Sequence, residues 1–176
     1  IAVEVVEHFF GELRKHRTYR GGVFTGGSSV FVRGPRFGKK VGATPDGRYA
    51  HVTLADSVGP VQGKDVNGPT AVLKSVSKID HTLACSGYVL NLKFAKEIFA
   101  SQDTRDKIIA LFDTFFSLGG QQVQVNVLSA EELRQAKLCP ELYTNLIVRV
   151  GGFSEYFVNL SRVLQDELIS RTAHSL

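Results

Sequence analysis

The chain has 176 residues, 43% of them hydrophobic, and a formal charge of +4. That suits one globular unit with a buried core. Acidic and basic residues are interspersed with no Lys/Arg tract, which argues against a nucleic-acid partner, and no apolar run is long enough to span a bilayer. No signal peptide is evident. The two cysteines, Cys85 and Cys139, lie far apart, which is neither a disulfide framework nor a metal-ligand spacing. The histidines at 8, 16, 51, 81 and 174 show no ligand spacing either, so no metal site is expected. A cytoplasmic, reducing compartment follows by default. The chain begins at Ile1 and holds no methionine, so we expect a C-terminal piece of a longer protein.

In chain order, residues 1–16 place apolar side chains at 2, 5, 6, 9, 10 and 13, a helical stripe. The stretch 19–32 is rich in glycine. No Gly-Lys-Ser/Thr follows it, which argues against a nucleotide loop. Gly42-Ala43-Thr44-Pro45-Asp46-Gly47-Arg48 is a turn by its chemistry, and a boundary is placed there. Residues 53–69 read as ordered loop. Gly68 to Val76 predicts a helix with proline in its first turn. Asp80-His81 is a general-base pair or a capping pair, and capping is favoured.

Tyr88 to Phe94 alternates like a strand, and Asp103 to Leu118 predicts a helix ended by Gly119-Gly120. Gln121 to Val127 also alternates, with valines on one face and Gln and Asn on the other. That polar face meets either solvent or a polar cavity. Ser129-Ala130-Glu131-Glu132 is a capping box opening a helix that ends before Pro140. Leu146-Ile147-Val148 reads as a buried strand, and a last helix begins near Ser161. That helix puts Leu164, Leu168 and Arg171 on one face. The Arg171 guanidinium either snorkels to water or is buried and paired.

Between strand and helix stands Arg149-Val150-Gly151-Gly152-Phe153-Ser154. Its glycines have apolar neighbours rather than the polar ones of ordinary surface turns. Together with Phe157, Leu160, Gln165, Ile169, Arg171 and Thr172, this run resembles the C-terminal signature of the glycyl radical enzymes, a family of lyases and dehydratases that includes pyruvate formate-lyase. The Pro45-Asp46-Gly47 turn also matches a recurrent family motif.

The resemblance implies an α/β fold, a C-terminal slice of the family's β/α barrel, with the glycine loop between a buried strand and a C-terminal helix. Residues 1–48 would be the tail of the barrel domain, including a strand and loop near 19–32, and 49–176 the glycyl radical domain. Gly152 would carry the radical, shielded by Val150, Phe153, Phe157 and Leu160, with Gly151 easing loop motion. Arg171 would lie near the active site. The implied function is storage of a glycyl radical that generates a thiyl radical on a cysteine outside this chain, for dehydration or C–X or C–C cleavage of a small substrate. Cys85 and Cys139 do not match that cysteine's context. The implied partners are a radical S-adenosylmethionine iron–sulfur activase, the small-molecule substrate, the N-terminal remainder of the same protein and a second copy in a homodimer. Alternatives are a stand-alone glycyl radical subunit that docks on and repairs a partner enzyme, or pyruvate formate-lyase (formate acetyltransferase) itself.

Overall fold

The computed structural model describes residues 1–30, 32–171 and 173–174. Phe31, in the glycine-rich stretch, and Thr172, in the C-terminal pattern, lie outside the described residues, as do Ser175 and Leu176.

Eleven helices and strands are described: α1 (Ala2–Lys15), α2 (Gly34–Gly38), α3 (Gly68–Val76), β1 (Asn91–Phe94), α4 (Gln102–Ser117), β2 (Gln124–Val127), α5 (Ala130–Leu138), β3 (Ile147–Val150), β4 (Phe153–Tyr156), α6 (Arg162–Ser170) and β5 (Ala173–His174). Three strands form a parallel sheet in the order β2-β1-β5. Helix α4 makes the crossover from β1 to β2, as parallel pairing requires. Strands β3 and β4 form a separate antiparallel hairpin.

Local chemistry sets most element ends. Ser101 Oγ accepts the Thr104 N–H and caps α4, while Gly119 at φ +92 ends it in the left-handed region. Ser129 caps α5 by accepting from the Glu131 and Glu132 amides. The reciprocal half of the capping box is not made, because Glu132 pairs at 2.6 Å with Lys96. Ser161 caps α6 through the Leu164 N–H.

Three apolar clusters hold these elements. Leu92 and Phe94 of β1 pack with Val72, Leu73 and Val76 of α3 and with Ile108 and Phe115 of α4. Phe94 and Phe115 are fully buried, each contributing about 2–3 kcal/mol. Phe116, next to Phe115 on the same helix, is 47% exposed. A second cluster joins Val148 and Val150 of the hairpin to Leu133 and Ala136 of α5, Phe157, and Leu168 of α6. The third seats Phe10 of α1 against Ala84 and Tyr88, while Val5 and Phe9 on the predicted stripe stay exposed. Among the described residues, the glycine-rich stretch and its flank contribute isolated bridges, Arg17 with Val23 and Ser28 with Tyr88.

Candidate functional site

The expected turn between strand and helix is the tip of a hairpin. Strand β3 turns through Gly151 and Gly152 into β4, with Arg149 opposite Ser154 and Val150 opposite Phe153. A 3-10 turn at Phe157–Asn159 then leads to α6. Gly151 has φ +48 and Gly152 φ +106. Positive φ at both central residues is what a two-residue type I′ hairpin turn demands, and it explains why both are glycine.

The Gln/Asn face of β2 meets neither solvent nor open space. It clamps the hairpin backbone. Asn126 Oδ1 accepts the Arg149 N–H at 2.9 Å, and Asn126 Nδ2 donates to the Arg149 carbonyl at 3.1 Å. Gln124 Oε1 accepts the Gly152 N–H at 2.9 Å. Both side chains are buried. The inner side of the hairpin rests on α5 and α6 through Val148 and Val150, each 1% exposed.

The shielding expected around Gly152 is only half present. Val150 and Phe157 are buried, but Gly152 is exposed and Phe153 is 43% exposed. The reason is geometric. Alternation along β3 turns valines inward, and the tip projects past the layer they make. Among the described residues, none covers the outer side of Gly152.

Arg171 is buried and paired. Its Nη2 lies 3.0 Å from Asp56 Oδ2 and 2.8 Å from Glu167 Oε1, and the side chain is 9% exposed. Its Nη1 is buried with no partner among the described residues. Around it runs a polar network that sequence reasoning missed. Asn91 Nδ2 donates to Asp56 at 2.7 Å, Gln62 Nε2 donates to Glu167 at 3.2 Å, and His174 Nε2 lies 3.3 Å from Asp65. Lys93 Nζ donates to the Leu168 and Ile169 carbonyls at the end of α6.

This network and the amide clamp lie on one side of the sheet. Asn91 stands opposite Gln124, and Lys93 opposite Asn126. The sheet therefore has one apolar and one polar face; Leu92, Phe94, Lys93, Gln124 and Asn126 are buried, while Val127 at the end of β2 is exposed. A signal existed: Asn91 and Lys93 alternate with Leu92 and Phe94 as Gln124 and Asn126 do with their valines. Burial shifts the titration of this face. It pulls the Lys93 ammonium down to about 8, with Arg171 adding repulsion. It pushes the Glu167 carboxyl up despite the attraction of Arg171, and it lowers His174 against the pull of Asp65.

Asp80 and His81 form no base pair. Asp80 accepts from the Thr82 amide and hydroxyl, as capping predicts. His81 is buried, its Nδ1 accepting the Gln121 N–H and its Nε2 meeting the Val76 carbonyl, so both ring nitrogens are occupied. Cys85 is exposed and Cys139 half-buried. Among the described residues, no group of three or more His, Cys, Asp or Glu could hold a metal.

The chain is similar to known proteins over nearly its whole length. It is 36% identical over 172 residues to trans-4-hydroxy-L-proline dehydratase from Clostridioides difficile, covering 98% of this chain and 22% of that protein. It is 42% identical over 142 residues to isethionate sulfite-lyase from Nitratidesulfovibrio vulgaris, covering 80% of this chain and 17% of that protein. The glycerol-bound B12-independent glycerol dehydratase from Clostridium butyricum superposes with a TM-score of 0.95 at 38% identity, covering 99% of this chain and 22% of that one. The chain thus spans about a fifth of the length of such relatives. The family model described as Glycine radical matches residues 54–158, which include the hairpin and its clamp. The chain belongs to the glycyl radical family.

Proposed function

We propose that Gly152 stores the radical, and that the chain serves as the radical-bearing portion of a lyase that eliminates water, sulfite or another leaving group from a small substrate. The observation that carries this reading is the hairpin tip. A residue without a side chain stands there at φ +106, its N–H held by a buried amide. Losing one Cα hydrogen atom leaves an unpaired electron between a donating nitrogen and a withdrawing carbonyl. A Cα with no Cβ flattens without a clash, which makes that radical long-lived.

A radical S-adenosylmethionine iron–sulfur activase removes the first hydrogen atom. The Gly152 radical then takes a hydrogen atom from a cysteine elsewhere in the longer protein, and the thiyl radical takes one from a substrate carbon. The substrate radical loses its leaving group, and the product radical recovers the hydrogen from the thiol. The cycle is redox-neutral, with the protein supplying orientation and exclusion of competing reactions.

Residues 1–48 belong with the barrel and 49–176 with the radical domain. Arg171 faces the substrate side, a placement supported by its unpartnered, buried Nη1. The working unit is a cytoplasmic homodimer. The test is anaerobic activation of the full-length protein. A doublet organic radical signal that collapses with deuterated glycine, and backbone cleavage in air releasing a peptide that starts at Phe153, are the expected results. Cleavage elsewhere, or no organic radical in the presence of a competent activase, overturns the assignment.

A further inference from the structure

The two amides that reach the hairpin from β2 are bonded differently. Asn126 engages Arg149 with both ends of its amide, at 2.9 and 3.1 Å. Gln124 engages Gly152 with its oxygen only, and its Nε2 is buried with no hydrogen-bond partner among the described residues. A buried donor without a partner is costly, and such groups persist where function needs them. The one hydrogen bond of the Gln124 side chain among the described residues ends on the Gly152 nitrogen. An acceptor at that N–H raises electron density on the nitrogen that feeds a radical at the adjacent Cα.

We propose that Gln124 is a positioning residue for the radical: it holds the Gly152 tip on β2 and its one breakable bond sets how often the tip leaves, while Asn126 keeps the stem in place. The inference rests on Gly152 as the radical site. The stem is fixed by two hydrogen bonds and by Val148 and Val150 beneath it, whereas the exposed tip has one such bond. Opening at the tip alone carries the Gly152 Cα away from β2 and toward an activase without unseating β3.

The test uses the full-length enzyme with its activase. Gln124→Leu removes the acceptor, and Gln124→Glu retains one. Three quantities are read: appearance of the radical signal at limiting activase, its decay under limited oxygen, and turnover per radical. A hydrogen bond of ordinary net strength predicts about 5-fold faster appearance and decay in Gln124→Leu, with turnover per radical reduced. Gln124→Glu stays near wild type. Wild-type rates in Gln124→Leu, or equal changes in both variants, overturn the proposal. Absence of a glycine radical in the wild type instead defeats the assignment of Gly152, before any variant is compared. Hydrogen exchange of the unactivated wild-type enzyme is a check independent of variants: the Gly152 amide should exchange about 5-fold or more faster than the Arg149 amide. Equal protection overturns the proposal.

Discussion

Replacing Arg171 by methionine should unlock the end of α6. The guanidinium is 9% exposed and lies between Asp56 and Glu167, themselves 12% and 7% exposed at the side chain. At an effective dielectric near 20, opposite charges at about 3 Å attract by about 5 kcal/mol, most of which desolvation cancels. Removing the cation leaves that desolvation uncompensated and sets two carboxylates against each other. We expect a loss of about 3–5 kcal/mol, a large part of a typical domain's stability of about 5–15 kcal/mol.

Acid should return part of that loss. Burial already raises the Glu167 pKa, and loss of Arg171 raises it further. The folded state then holds a proton that the unfolded state releases. The associated stability is fully present below the unfolded pKa and is lost progressively as pH rises from there through the raised folded pKa. The assay is backbone hydrogen exchange of residues 162–170 and 53–67 at pH 5 and pH 7.5, which reads local opening in a protein too large for two-state unfolding. Arg171→Met in a Glu167→Gln background should cost clearly less than in the wild type. A loss under about 1 kcal/mol, or an identical loss in both backgrounds at pH 7.5, would refute the coupling.

Gly152→Ala should abolish the organic radical while straining the turn by about 1–2 kcal/mol, since φ +106 is unfavourable to an L side chain; a retained doublet would move the radical elsewhere. Gly151→Val, at φ +48, should lower radical yield per chain and its rate of installation, and unchanged values would remove Gly151 from any role in hairpin motion. Lys93 titrates near 8 when folded against 10.5 unfolded. The unfolded chain thus holds more protons between those values, and stability should rise by up to about 3 kcal/mol from pH 8 to 10.5. Exchange in α6 compared across that window, with Lys93→Met showing no such rise, checks it.

Helices α1, α3, α4, α5 and α6 and the glycine tip are legible because their signals are local, whereas the five-residue α2 has no such signal. Ser101, Ser129 and Ser161 cap what they precede, and Gly119 ends what it follows. Phe153 to Tyr156 carries little alternation of its own, so the sequence suggests a direct passage from strand to helix where the structure has a hairpin. The polar faces of β1 and β2 were visible as alternation, but a period of two tells which residues share a face and not what covers it. Asp56, Gln62 and Asp65 were out of reach for another reason. They sit in a loop without periodicity, and Gln62 meets Glu167 across 105 positions of chain. The shielding of Gly152 was overestimated because an apolar neighbour in sequence, Phe153, points away from the core at a turn.

The β3–β4 ribbon closes its main-chain ladder on itself, and its ties to the parallel sheet run through the side chains of Gln124 and Asn126. Displacing it therefore tears no strand from the sheet. Its hydrogen bonds to the sheet come from two side chains rather than from a shared ladder, while Val148 and Val150 anchor its inner side in the core. Single substitutions at Gln124 or Asn126 can therefore change how firmly the ribbon is tied while the parallel sheet keeps its own ladder.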